Sequence, residues 1–249
     1  MLRLLCITAH PDDEAGGFGG TLLHYARKGV ETHVICLTPG QAATHRGGAR
    51  SDEELSHMRR HEFAASCKLL QIAYGTVLDY PDAKLYQQDF YSVVADLTGR
   101  IRQIRPQVVM TMGPEGSITA HPDHSMASIF GTMAFHWAGR SNRFPDQLQS
   151  GVTPHGAQKL YYGTAMFELK DRQPVSLPPA SVVIELTQEE LDTKVAAFKC
   201  HISQAPLFPI FEETVRKRGR SELFHLAASS TPRKIEMETD LFAGVRELP

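Results

Sequence analysis

The stretch Ile7-Thr-Ala-His-Pro-Asp-Asp-Glu14 places one imidazole and three carboxylates directly behind an apolar run, Leu4-Leu5-Cys6-Ile7. The run reads as a short buried strand, extending over about Leu2–Thr8. Pro11 ends it, because proline fixes its own backbone and has no N–H for a ladder hydrogen bond. His10, Asp12, Asp13 and Glu14 therefore crowd at the C-terminal end of a strand, which is where ligands bind in open α/β sheets. Three neighbouring carboxylates repel one another unless a cation is present. A divalent metal held through His10 and Asp13, with Asp12 left free, relieves that repulsion. An ordinary helix N-terminus, with proline at its first position and acids in its first turn, accounts for the same residues equally well.

A second stretch separates these readings. Thr119-Ala-His-Pro-Asp-His124 follows another strand-like run, Gln107-Val-Val-Met-Thr-Met112. His121 and His124 lie three apart across a proline that opens a helix, so both imidazoles can face one way. Neutral imidazole and carboxylate are zinc ligands, and a catalytic zinc site uses three protein ligands and leaves a position for water. One His-Pro-Asp is weak evidence of chemistry; two of them, each just past a strand, favour a metal site over a pair of helix caps.

With these motifs the chain resembles the LmbE-like, or PIG-L-type, zinc-dependent N-deacetylases of N-acetylglucosamine conjugates. His10-Pro-Asp-Asp-Glu14 is followed by Gly19-Gly20-Thr21-Leu22, Ala26, Gly29-Val30, Leu37-Thr38 and Gly40 in the family's order. Arg59, Glu62 and Ala65 match its Arg-x-x-Glu-x-x-Ala helix, and Pro81-Asp82 its Pro-Asp loop. His121-Pro-Asp-His124 leads into Ala134-Phe135, then Leu160-Tyr161-Tyr162 and Lys194…Ala197…His201-x-Ser203-Gln204, so the resemblance spans residues 3–204. It implies a single α/β domain over residues 1–249, a Rossmann-like three-layer sandwich around a mostly parallel sheet. It also implies zinc bound by His10, Asp13 and His124, although iron or cobalt suits the same ligands. Asp12 is then the general base that moves a proton from water to the leaving amine. His121, protonated, stabilises the oxyanion, and Arg59 and Asp82 anchor the sugar. Asp123 either keeps an imidazole charged and oriented or caps its own helix. The implied substrate is an N-acetyl amino-sugar conjugate, the implied products an amine and acetate, and the implied assembly a homo-oligomer. The same site serves an amidase of a thiol–sugar conjugate or a deacylase of an antibiotic glycoside. A non-catalytic sugar-binding protein on this fold is expected to have lost the base or a ligand, and none is missing. Three positions depart from the family pattern: Ala120 and Gln71 stand where glycine is usual, and Gln41 where glutamate often follows Gly40.

Composition is that of a globular enzyme-sized chain: 249 residues, 42% hydrophobic and 22% charged. A formal net charge of −2 provides no electrostatic footprint for nucleic acid or an anionic membrane. No apolar run approaches the ~20 residues of a membrane span. Cys6, Cys36, Cys67 and Cys200 sit in apolar contexts without a Cys-x-x-Cys, which indicates reduced thiols and a cytoplasmic protein. Met1-Leu-Arg-Leu-Leu-Cys-Ile runs straight towards His10, so cleavage of a leader there would destroy the site.

The remaining segments carry smaller expectations. Thr21–Lys28 reads as a helix stopped by Gly29. The glycines at 16, 17, 19 and 20 fail the dinucleotide-binding spacing, since Leu22 stands at the third position, and suggest close backbone packing instead. Residues 41–50 look like a mobile rim loop. Ser51-x-x-Glu54 resembles a capping box for a helix over residues 52–70. A helix from Ser125 to Trp137 is expected to cover the sheet with Met126, Ile129, Met133 and Phe135. Residues 142–156 suggest a lid or subunit contact, and Pro174, Pro178 and Pro179 a Pro-rich connection. His201 reads as a helix C-cap, Arg216-Lys-Arg-Gly-Arg220 as a solvated basic run, and the chain's last stretch shows no clear pattern.

Overall fold

Unbroken apolar runs, rather than alternating ones, make the central strands, and the reason is that both faces of the sheet are covered. The computed structural model describes residues 1–149, 151–169, 175–232, 234 and 236–247; Pro174 of the expected Pro-rich connection lies outside them. The elements are β1 Arg3–Thr8, α1 Asp13–Arg27, β2 Glu31–Cys36, α2 Asp52–Leu69, β3 Tyr74–Val77, α3 Phe90–Ile104 and β4 Val108–Thr111. They continue with α4 Pro122–Ala138, α5 Pro145–Gln149, β5 Lys159–Thr164, β6 Val182–Glu185, α6 Gln188–Phe198, α7 Phe208–Arg218 and β7 Ser221–Ser229. Seven strands form one sheet in the order β3-β2-β1-β4-β5-β7-β6. β1 to β5 run parallel, with Ile7 opposite both Ile35 and Thr111, while β7 pairs antiparallel with β5 and β6. Helices α1, α2 and α6 pack together on one face and α3 and α4 on the other, which is the expected three-layer sandwich. β1 and β4 are neighbours, yet the chain leaves β1 towards β2 on its other side. Their C-terminal ends flank a topological switch point, and both His-Pro-Asp motifs lie there.

Several local expectations need correction. α1 begins at Asp13 and not at Thr21. Its glycines weaken a helix in isolation, but packing requires them: a Cβ on Gly20 would stand 2.3 Å from Leu186 Cδ1, and one on Gly16 3.3 Å from the Phe198 ring. On α4 Phe135 is buried as expected and Met126 and Met133 pack against the core, but Ile129 is 37% exposed and Ala127, Phe130, Ala134 and Ala138 complete the buried face. Ser51 Oγ does accept from Glu54 N, but the Glu54 carboxylate reaches back to Arg50 N, one residue beyond a reciprocal box. The reciprocal box occurs on α6, between Thr187 and Glu190. α5, within the expected lid, is tied to α3 through Gln147, which donates to Ala95 O at 2.7 Å and accepts from Arg102. It lies away from the cleft. The last stretch, unpatterned in sequence, forms α7 and β7.

The glycine departures have a backbone explanation. Gln71, just past α2, has φ 54°, and Ala120, before the second motif, has φ 52°. Both are left-handed positions that glycine occupies without a Cβ penalty. The side-chain oxygen of Gln41, the third departure, is buried with no hydrogen-bond partner among the described residues.

Candidate active site

Asp12 is the first residue after Pro11 and takes φ 116°, ψ −26°, a strained conformation for a residue with a Cβ. Two contacts hold it there. Its N–H donates to Glu14 Oε2 at 2.9 Å, and its Oδ2 accepts from Arg59 Nη2 at 2.8 Å. The bend turns consecutive carboxylates in different directions. Asp13 accepts the N–H groups of His10 (2.8 Å) and Ala9 (3.2 Å) and lies between two imidazoles, 3.5 Å from His10 Nδ1 and 3.1 Å from His124 Nε2. Glu14 points away into the protein, where it accepts from Ser66 Oγ at 2.6 Å and pairs with His201 Nε2 at 2.8 Å.

Burial pushes the Asp12 carboxyl up to about 6, with Arg59 pulling it down and Asp13 adding to the rise. For Asp13, burial is outweighed by the charge of His124 and the hydrogen bonds of both histidines, which hold it well below the usual carboxylate range. His121 is lowered, first by burial and then by the neighbouring imidazoles. Its Nδ1 accepts the Asp123 N–H at 3.2 Å, so the neutral ring carries its proton on Nε2.

The other expected site residues make contacts of their own. Arg59, expected on substrate, lines the cleft at 2% exposure and donates to Gly40 O, Pro11 O and Asp12, so it holds the Asp12 loop. Asp82, expected on a sugar hydroxyl, also lines the cleft; its Oδ1 lies 3.0 Å from His10 Nε2 and its carboxylate accepts from Ala42 N and Ala83 N. Of the two expectations for Asp123, holding an imidazole charged and oriented describes it, with His10 as the ring, and capping α4 does not. Asp123 accepts from Ala83 N and Leu85 N and approaches His10 Nε2 at 3.4 Å. His201, expected to be a C-cap, is fully buried against Glu14 instead. Its pKa is raised: burial lowers it, but the Glu14 charge and hydrogen bond outweigh that.

The donor set fits a divalent cation. Nitrogens of His10, His121 and His124 approach within 4.8 Å of one another, and His10 also groups with Asp82 and Asp123. The latter carboxylates are already filled by backbone N–H groups and face Nε2 of His10. They act as the support that orients a ligating imidazole, leaving its Nδ1 towards Asp13. His124 Nδ1 sits 3.3 Å from Gly116 O and 3.1 Å from Thr119 Oγ1, which leaves Nε2 towards Asp13. His10, Asp13 and His124 thus converge with lone pairs inward, and His121 stands beside them.

These groups open onto a cleft of about 440 Å³. Its polar side comes from the loops after β1, β2 and β3 and the start of α4. The opposite wall is apolar and comes from α1, α6, α7 and β7, with Phe18, Phe198, Phe211 and Leu223 among its members. Ala42, Ala43 and Thr44 of the expected rim loop line the cleft, and Gln204 fastens that loop by donating to His45 O. Of the basic run, Arg218 lines the cleft, while Arg216, Lys217 and Arg220 are exposed.

Residues 5–135 match the sequence family described as PIG-L: GlcNAc-PI de-N-acetylase. The diacetylchitobiose deacetylase of Thermococcus kodakarensis is 31% identical over 206 residues, covering 82% of this chain and 70% of that protein. A 1D-myo-inositol 2-acetamido-2-deoxy-alpha-D-glucopyranoside deacetylase 2 from Catenulispora acidiphila is 26% identical, with 97% of both chains covered. Among solved structures, the N,N'-diacetylchitobiose deacetylase of Pyrococcus horikoshii superposes with a TM-score of 0.73 at 23% identity, covering 90% of this chain and 83% of that one. That last similarity is one of fold.

Proposed function

Because the chain belongs to the PIG-L family, we propose that it is a metal-dependent N-deacetylase that removes the acetyl group from an N-acetylglucosamine-type conjugate. The observation that carries this reading is the division of labour between adjacent carboxylates: Asp13 lies between His10 and His124, while Asp12 is turned to Arg59 and lines the same cleft. His10, Asp13 and His124 would hold the cation, zinc in the first instance, with iron and cobalt compatible with the same donors. Such an ion polarises an amide carbonyl and makes water nucleophilic at neutral pH.

The protein's own groups do the rest. Asp12, a carboxylate in a water-poor site, takes the proton of the attacking water and passes it to the leaving nitrogen. His121 donates Nε2–H to the oxyanion of the tetrahedral intermediate, a contact of a kind worth ~3–4 kcal/mol of barrier. Arg59 fixes the direction of the Asp12 carboxylate, and Asp82 and Asp123 fix the His10 ring. The amine and acetate leave through the open cleft.

Four free cysteines, three of them buried, support a reducing, cytoplasmic setting. Among the described residues no helix is long and apolar enough to cross a membrane. A homo-oligomer is carried over from the family resemblance.

The test is amine release from a panel of N-acetylglucosaminides by the protein as purified, after chelation and after zinc is restored, with Asp12→Asn alongside. Activity restored by zinc and absent from Asp12→Asn is expected. A protein that binds zinc at full occupancy yet releases no amine from any member would send the search to other amides. A protein that binds no zinc would end the reading.

A further inference from the structure

We propose that the active-site cleft contains a second, apolar subsite that receives an alkyl or aryl group of the substrate. The substrate is then an amino-sugar amide with a hydrophobic substituent rather than a wholly polar saccharide. The inference rests on the deacetylase reading for the sugar and goes beyond it for everything attached to the sugar.

The wall that carries the inference is continuous with the catalytic groups, since both line one cleft. Phe18 comes from α1, Phe198 from α6, Leu207, Ile210 and Phe211 from the start of α7 and the turn before it, and Leu223 from β7. Phe198 and Phe211 stack face to face, with ring centroids 3.8 Å apart and planes 18° from parallel, so α6 and α7 are locked together where both line the cleft. Gly16 lets that stack close on α1, because a Cβ there would come within 3.3 Å of the Phe198 ring.

Two polar groups of the wall make hydrogen bonds within the chain. Thr214 Oγ1 donates to Ile210 O at 2.8 Å, and Arg218 Nη1 donates to Gly16 O at 3.2 Å. A sugar hydroxyl placed against Phe198, Phe211 and Leu223 would give up its hydrogen bonds to water without replacement, which is unfavourable. A methylene placed here gains up to about fourfold in affinity. Ile210 adds a surface argument: it lines the cleft and stays 42% exposed, so apolar area remains there that no described residue covers.

The hydrophobic group could sit on either side of the sugar, as the aglycone or as the acyl chain, and two substrate series separate these. One series is the methyl, butyl, hexyl and phenyl glycosides of N-acetylglucosamine. The other is N-acetyl-, N-butyryl- and N-hexanoyl-glucosamine. Each is assayed for amine release with the zinc-loaded protein and with Ile210→Glu and Leu207→Ser. Both positions are partly exposed, and a melting curve checks that each variant is folded. In parallel, calorimetry measures binding of hexyl and methyl glucosaminide, which have no amide to hydrolyse.

In one series kcat/KM is expected to rise at least tenfold with chain length, and that gradient is expected to flatten in both variants. Hexyl glucosaminide is expected to bind at least tenfold tighter than methyl if the aglycone is the occupant. A flat dependence in both series, or a gradient unaffected by the two substitutions, would overturn the subsite while leaving the deacetylase reading intact. Conversely, no hydrolysis of any compound together with a hexyl preference lost in Ile210→Glu would uphold the subsite and overturn the deacetylase reading.

Discussion

Replacing Lys194 by Met is expected to cost about 3 kcal/mol of folding stability at pH 7. Lys194 on α6 and Glu222 on β7 form an ion pair whose side chains are each 1% exposed. Glu222 also accepts the N–H groups of Gly20 at 3.1 Å and Thr21 at 2.9 Å, so it fastens the middle of α1 to the sheet. Methionine preserves most of the lysine's volume and removes its charge, leaving a buried anion. Removing one partner of a buried pair generally costs ~3–5 kcal/mol. Arg218, 4.0 Å from Glu222, remains as a partial counter-charge, which places the expectation at the lower end.

The pH dependence provides a second signature. Burial raises the Glu222 carboxyl, but the charges of Lys194 and Arg218, with the hydrogen bonds, overcome that and hold it below its ordinary 4.5. A carboxylate depressed in the folded state stabilises fully above its unfolded pKa and loses that contribution as pH falls through the folded value. The substitution removes most of the depression. The gap between wild type and Lys194→Met should therefore be widest above pH 5 and narrow on acidification below about 4.5. Urea unfolding followed by tryptophan fluorescence and circular dichroism measures it, with a shift in midpoint at constant slope. A loss under ~1 kcal/mol at pH 7, far below what stranding a buried charge costs, would refute the reasoning. So would a gap that widens as the pH falls.

Three other outcomes follow from the same geometry. Ala120→Gly should stabilise the chain by about 0.5–1 kcal/mol, because relief of left-handed strain exceeds the added freedom of the unfolded state; a lower melting temperature would count against it. Arg59→Met should lower kcat about 100-fold with KM little changed, since its contacts are to Asp12 and two carbonyls; a rise in KM at constant kcat would return Arg59 to the substrate. Asp82→Asn should weaken metal binding ~10–100-fold through a poorly held His10, read by competition with a chromogenic chelator. Unchanged affinity would leave Asp82 to bind sugar.

How much of this was legible in the sequence depended on distance along the chain. The two His-Pro-Asp motifs are contiguous, so the convergence of His10, Asp13 and His124 could be anticipated from strand ends alone. Contacts between distant residues could not: nothing in the sequence links His201 to Glu14, or Asp123 to the His10 ring. α1 was read too short because four glycines look like loop until Leu186 and Phe198 are seen against them. α7 and β7 were missed for a related reason. Their apolar residues face a cleft wall and an antiparallel partner, and neither gives the unbroken run that announces a parallel, doubly covered strand. That Arg59 reaches back to the pocket is legible from its place on α2, but its contact with Asp12 joins residues 47 apart and is not.

The cleft is assembled from two ends of the chain. Its chemical side is complete by His124, while the facing wall, apart from Phe18, is made after residue 160. The candidate catalytic groups and the apolar wall are therefore encoded largely in separate stretches of the gene. Insertions or substitutions in the later stretch can change the menu while the reaction stays the same. A descendant with a different α7 would be a different enzyme to its cell and the same one to a chemist.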